Sequence, residues 1–354
     1  MPAWLSRVAP ALLLVVLSPV VAEFLLGDFS VRSLYLLVIL LPMYGGGALL
    51  LREIVRRTGR GWPTLLLLAL AYGLLEEGVT TQSLFNPHYA GQHLLRFGYV
   101  PALGTSLHWD LFVLSLHVVW SIATPVLVAE GIAGERRTTP WLGRVGLVVA
   151  AALFAFGVVV TTLFGFVSSP FVASTPQFAA AGALIVVAIV VAFAGFRRRP
   201  EKAVASASNW LLAGGIALIS LVLTSAFEIT YQSLPAAGAS PLVATAGSTA
   251  CLIVLCAIVA VLSRRRGWAP LGYLGVATGT VLTYGWRGVE VMMRGRTDLG
   301  APTGPIDVAA QVLLVLLVLA LIGWGAWRNS RPAAQTANST LAPAATPSTS
   351  SARP

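Results

Sequence analysis

From Arg144 to Phe166 the chain reads RVGLVVAAALFAFGVVVTTLFGF, with no charge after the first position. A helix rises 1.5 Å per residue, so about 20 apolar residues cross a hydrocarbon core of about 30 Å. Nine further stretches share this character: 8–26, 34–51, 62–84, 108–130, 177–196, 209–231, 242–262, 268–286 and 307–327. No strand-like alternation and no polar segment of soluble-domain length separates them. The pattern predicts an all-α, polytopic transmembrane helical bundle of about ten helices over residues 1–328. Residues 329–354, rich in Ala, Pro, Ser and Thr and without aromatics, read as a disordered cytoplasmic tail that cannot bury enough surface to order itself.

Composition agrees. Hydrophobic residues make up 57% of the 354, charged residues 10%, and mean hydropathy is +0.83. A soluble domain carries about 25% charge, so this chain cannot cover a water-facing surface. The formal charge of +10 could suggest nucleic acid, but the arginines form short clusters between apolar runs. That is a topology signal, and nucleic acid is excluded as a partner. Alternate connections hold Arg7; Arg52, Arg56, Arg57 and Arg60; Arg136, Arg137 and Arg144; Arg197, Arg198, Arg199 and Lys202; Arg264, Arg265 and Arg266; and Arg328, Arg331 and Arg353. The other side holds only Arg32, Arg96, Arg287, Arg294 and Arg296. Both termini are therefore expected in the cytoplasm. The first stretch has two readings, an uncleaved helix or a signal peptide cleaved after Ala22.

Ionisable side chains inside a bilayer cost about 2.5–3.5 kcal/mol and are kept where they face a cavity or a partner. Glu76 and Glu77, in AYGLLEEG (71–78), lie about 10–12 Å below the outer end of the third stretch. His117, nine residues into the fourth stretch, lies about 13 Å deep on the returning helix. Matching depths predict a glutamate–histidine contact suited to acid–base chemistry, proton relay or metal ligation, or else to fastening two helices. Glu23 and Glu228 fall in the same outer half, and with Gln82 and Gln232 they are candidate binding residues of an outward-facing acidic cavity. Glu290 pairs most simply with Arg287 three residues earlier. Glu130, near an inner helix end, reads as solvated.

Other features are plainer. TTQSL (80–84) and TYQSL (230–234) share four identities, each after a glutamate. A parallel duplication is geometrically allowed, and coincidence is the simpler account. Tyr44-Gly45-Gly46-Gly47 invites close backbone packing. Cys251 and Cys256, roughly 140° apart on one helix, read as buried apolar groups. The long outer connection 85–107 carries His88 and His93 without metal-ligand spacing, so no metal site is predicted there. No HExxH, GxSxG, Walker A or GxGxxG context occurs, and no cofactor is legible.

The double glutamate, followed by Phe112 and His117 on the next helix, resembles the CAAX-protease and bacteriocin-processing (Abi-like) intramembrane glutamate proteases. The resemblance implies that Glu76 or Glu77 activates a water with His117 as partner. It departs from that pattern where the family's arginine falls at Thr81, and where no histidine follows His117. SPVVAE (18–23) and QSLFNP (82–87) resemble uncharacterised bacterial polytopic membrane proteins, which implies a multi-pass protein of the bacterial inner membrane. The leading expectation is binding or movement of a small cation, proton or proton-coupled solute. A glutamate–histidine hydrolase and a non-enzymatic scaffold are the alternatives.

Overall fold

Every apolar stretch becomes a helical segment. The computed structural model describes residues 3–196, 210–262 and 270–330. Within them run α1 (Val8–Phe24), α2 (Val31–Arg57), α3 (Trp62–Thr80), α4 (Leu107–Thr138), α5 (Arg144–Ser168), α6 (Thr175–Ala194), α7 (Trp210–Ala236), α8 (Pro241–Leu262), α9 (Leu271–Met293) and α10 (Pro305–Ser330). Eight of these, α2–α8 and α10, are long and apolar enough to cross a membrane by length and composition. The protein is an all-α polytopic bundle. The arginine and lysine clusters at 197–202 and 264–266, and the tail beyond Ser330, lie outside the described residues.

The two remaining helices are interior ones. α9 is less apolar because Thr280, Thr283, Tyr284 and Arg287 face neighbouring helices, where small and polar residues pack and hydrogen-bond. α1 buries Leu14, Leu17, Ser18 and Val21 against α4 and α9. By contrast α5 buries only Ala150 and Gly157, leaving Val145, Val148, Phe156 and Val159 exposed to the surroundings. Such a surface is one that contacts lipid.

The arginine-rich connections gather on one face, as the charge pattern requires. Arg52 donates to the Arg137 carbonyl at 2.7 Å, Arg57 to that of Leu142, Arg60 to that of Phe196, and Asn329 to that of Gly131 at 2.7 Å. The other connections meet on the opposite face. There Arg32 pairs with Asp307 at 3.0 Å, Gln92 donates to the Asp298 carbonyl at 2.7 Å, and Asn86 donates to Ser169 at 3.0 Å.

Three expectations are corrected. Glu130 is not solvated: it is fully buried, between Arg52 (2.9 Å) and Arg56 (2.5 Å). Cys256 is exposed on α8, whereas Cys251, on another face, is partly buried against the core. The outer connection holds a small antiparallel pair, Tyr99–Val100 with Thr105–Ser106. Its strands are two residues long, too short for alternation to show in the sequence. The two TxQSL segments, by contrast, differ in form, in keeping with coincidence as the simpler account. Gln82 takes the left-handed conformation (φ 58°) and ends its helix, whereas Thr230–Leu234 stay helical within α7.

Candidate functional site

Four helices bring polar side chains to one place in the bundle interior, and each is locally widened there into a π-helical turn. These turns are Val20–Phe24 with Glu23, Leu41–Gly45 with Tyr44, Glu76–Thr80 with both glutamates, and His117–Ala123. The sequence supplies the cause. Pro19 precedes the first turn, Pro42 lies in the second and Pro125 follows the last. Proline lacks an N–H and its ring collides with the carbonyl four residues back, so the hydrogen-bond ladder slips. Gly78, with no side chain to resist, sits in the remaining turn. Carbonyls released in this way are reused. Pro125 frees the Ser121 carbonyl, which accepts from the Ser18 hydroxyl at 2.7 Å and ties α1 to α4. Pro19 leaves the Val15 carbonyl unbonded by its ring nitrogen, and α2 crosses so near it that a Cβ on Gly45 would sit 2.2 Å away. Only glycine fits.

At the centre His117 stands between two carboxylates. Its Nε2 lies 2.6 Å from Glu77 Oε1, and its Nδ1 lies 3.3 Å from Glu76 Oε2 and 3.2 Å from the Ser121 hydroxyl. The other Glu77 oxygen accepts from Thr81 at 3.0 Å and from Ser83. Glu76 Oε2 is buried and completes no hydrogen bond. Adjacent residues on a regular α-helix diverge by about 100°, and the π turn lets both glutamates address one imidazole. Gly73 brings α4 close, because a Cβ there would meet that of His117 at 3.0 Å. The rings of Tyr44 and Tyr72 flank His117 at 6.2 and 5.9 Å. Tyr44 faces Glu23 and Glu76, and the Tyr72 hydroxyl faces Glu76 without completing a hydrogen bond. One donor atom from each of Glu76, Glu77 and His117 falls within 4.8 Å of the others, an arrangement that could hold a metal ion.

Further acids extend toward the long loop. Glu23 is within electrostatic range of Glu76, Glu77 and His117, and Asp28 within range of Glu23, Glu77 and Asp298. Glu23 and Asp28 are each half-buried as whole residues. Burial, reinforced by Glu23 and Asp298, holds the Asp28 carboxyl well above the usual aspartate range against the pull of Arg287. Burial likewise raises Asp298, opposed by its 2.9 Å bond to Arg287. Tyr89, from the loop, lies within range of the same acids.

The sequence-derived candidates divide. Glu76, Glu77, His117 and Glu23 come together. Glu228 is fully buried on α7, among Tyr231, Tyr284 and Arg287, and neither of its oxygens has a hydrogen-bond partner. Gln82 turns away to accept from the Ala173 backbone at 2.7 Å, and Gln232 is exposed at the end of α7. His88 and His93 are exposed, with rings 5.2 Å apart. Phe112 does not face His117; it stacks on Tyr231 at 3.6 Å. Glu290 meets Arg287 at 3.0 Å as expected. Tyr44, Tyr72, Thr81, Ser83 and Asp28 escaped the sequence reading. The prolines beside three of the turns were the available signal.

The model of an uncharacterised membrane protein family matches residues 12–322, and the chain belongs to that family. No curated protein matches the chain, and no solved structure does.

Proposed function

We propose that this protein is a multi-pass carrier of the bacterial inner membrane that binds a small cation between Glu76, Glu77 and His117 in exchange for protons. The observation that carries the reading is the convergence of those three donor sets within 4.8 Å in a buried interior. Metals take carboxylate oxygen and imidazole nitrogen at about 2.0–2.6 Å, so an ion among them could touch all three. Ligands must shed protons to bind, which couples the cation to proton release. Glu23 adds a third carboxylate against a single imidazole, so the centre lacks positive charge. Glu23 and Asp28 give a polar route toward the long loop, and the four π turns provide backbone that can readjust.

The scaffold reading requires every acid to be held by hydrogen bonds, whereas Glu76 Oε2, although 3.3 Å from His117 Nδ1, completes none, and neither Glu228 oxygen has one. Against the hydrolase reading, Thr81 stands where that family carries its arginine, and Phe112 packs on Tyr231 and not beside His117.

The test is titration of the purified chain in detergent with Zn²⁺, Mn²⁺ and Na⁺, following heat and the pH of a lightly buffered solution. One of these ions is expected to bind saturably with release of protons, and Glu77→Gln or His117→Ala to abolish both signals. No saturable heat and no proton release with any ion would overturn the reading.

A further inference from the structure

Two cavities, neither part of the acidic centre, meet at Arg294. The first is an open groove of about 610 Å³ on the outside of the bundle between α9 and α10, lined by Gly285, Val289, Met293, Val312, Val315 and Leu316. The second is a polar cavity of about 380 Å³ at the end of α9, lined by Gln92 of the long loop and by Arg294, Arg296, Thr297 and Asp298. Arg294 borders both. One continuous surface thus joins an apolar slot to a charged cup.

Length and charge identify the occupant. The groove runs along α9 from Gly285 to Arg294, about 13 Å at 1.5 Å per residue. That is close to half of a hydrocarbon core of about 30 Å, the depth of one leaflet. It opens on the lipid-facing side, where Met293 and Leu316 are exposed. The Trp286 indole, a group that favours the interface, lines it and donates to Ser225 at 2.9 Å. At the mouth, Arg287, Arg294 and Arg296 face two carboxylates. Glu290 is shared by Arg287 (3.0 Å) and Arg294 (2.6 Å), and Asp298 is held by Arg287 at 2.9 Å. Arg296 is exposed and makes no ion pair among the described residues, so one positive charge is left over. A groove one leaflet deep with one surplus positive charge at headgroup level is complementary to a singly charged anionic phospholipid.

We infer that the chain binds one such phospholipid here, an acyl chain in the α9–α10 groove and the phosphate against Arg294 and Arg296. The site stands apart from the cation-binding reading and fails or survives independently of it. Its headgroup end adjoins Arg287, so a bound lipid would sit beside the outer acids without touching Glu76, Glu77 or His117.

Native mass spectrometry of the full chain in detergent, with phosphatidylglycerol and phosphatidylcholine of identical acyl chains added together, tests this. Wild type is expected to retain one phosphatidylglycerol in roughly tenfold preference over phosphatidylcholine. Arg294→Gln with Arg296→Gln should erase the preference, Arg296→Lys should keep it, and Val289→Trp, which fills the groove, should release both lipids. If the double variant does not fold, Arg296→Gln alone, at an exposed unpaired side chain, should still weaken the preference. Equal retention of the two lipids by wild type would overturn the proposal. So would displacement by glycerol 3-phosphate as effective as displacement by the intact lipid, because the groove would then contribute nothing.

Discussion

Two of the places where the described residues bury charge treat it in opposite ways. On the arginine-rich face, Arg52, Arg56 and Arg57 surround Glu53 and Glu130. Glu53 also accepts from the backbones of Trp141 (2.8 Å) and Leu142 (3.2 Å), and the Arg52 guanidinium lies 3.5 Å over the Trp141 ring. Cations outnumber acids, and all four carboxylate oxygens are bonded. In the interior, Glu23, Glu76 and Glu77 crowd a single histidine and Glu76 Oε2, 3.3 Å from that ring, completes no hydrogen bond, while Glu228, on α7, leaves both oxygens unbonded. The first network is closed, as a fastener should be. The second is short of positive charge and of hydrogen-bond donors. Depth and burial alone would have ranked the two alike; counting partners separates them.

Substitutions can break the comparison. The largest effect is expected at the closed network, where Glu130→Ala strands Arg52 and Arg56 and should cost about 3–5 kcal/mol, read by unfolding in mixed micelles. Next comes the backbone contact that seats Tyr44. Gly45→Ala forces a Cβ against the Val15 carbonyl and should cost about 1–3 kcal/mol. Glu228→Gln should lie within about 1 kcal/mol of wild type or stabilise it, because no bond is lost and a buried acid is removed. If it destabilised as much as Glu130→Ala, Glu228 would belong with the fasteners.

A further effect depends on pH. The folded-state pKa of Asp28 lies above its unfolded value, so the native chain holds a proton that the unfolded chain gives up. The associated stability is fully present below the ordinary value of 3.8 and declines as pH rises through the folded-state value. Asp28→Asn should therefore gain stability over wild type at pH 8 and show no gain near pH 4. Melting curves at the two pH values check the sign.

Much of this could be read from residue order, and the limits have physical causes. The apolar runs are long enough that each helix overlaps its stretch, and the arginine-rich connections among the described residues lie on one face. The meeting of Glu76, Glu77 and His117 is legible from depth, since a single π turn changes the rise along each helix only slightly. Rotation about the helix axis was not legible. Gln232 and Phe112 have the right depth and face elsewhere, and Glu130 looked solvated only because its arginine partners come from a different helix. Nor does the sequence announce a π turn, although Pro19, Pro42 and Pro125 mark where three of them form.

The central claim is that the interior acids, which share a single histidine, receive a cation, whereas those on the arginine-rich face are already matched by arginine. A ligand that binds only the native state raises stability by about 2.7 kcal/mol at one hundred times its dissociation constant. The direct measurement is the melting temperature of the detergent-purified chain with and without the cation that titration selects, for wild type, Glu77→Gln and a mild clamp variant, Arg57→Gln. The account predicts a cation-dependent rise in wild type and in Arg57→Gln, whatever the latter's starting stability, and no rise in Glu77→Gln. A rise that survives in Glu77→Gln, or vanishes in Arg57→Gln, would contradict it.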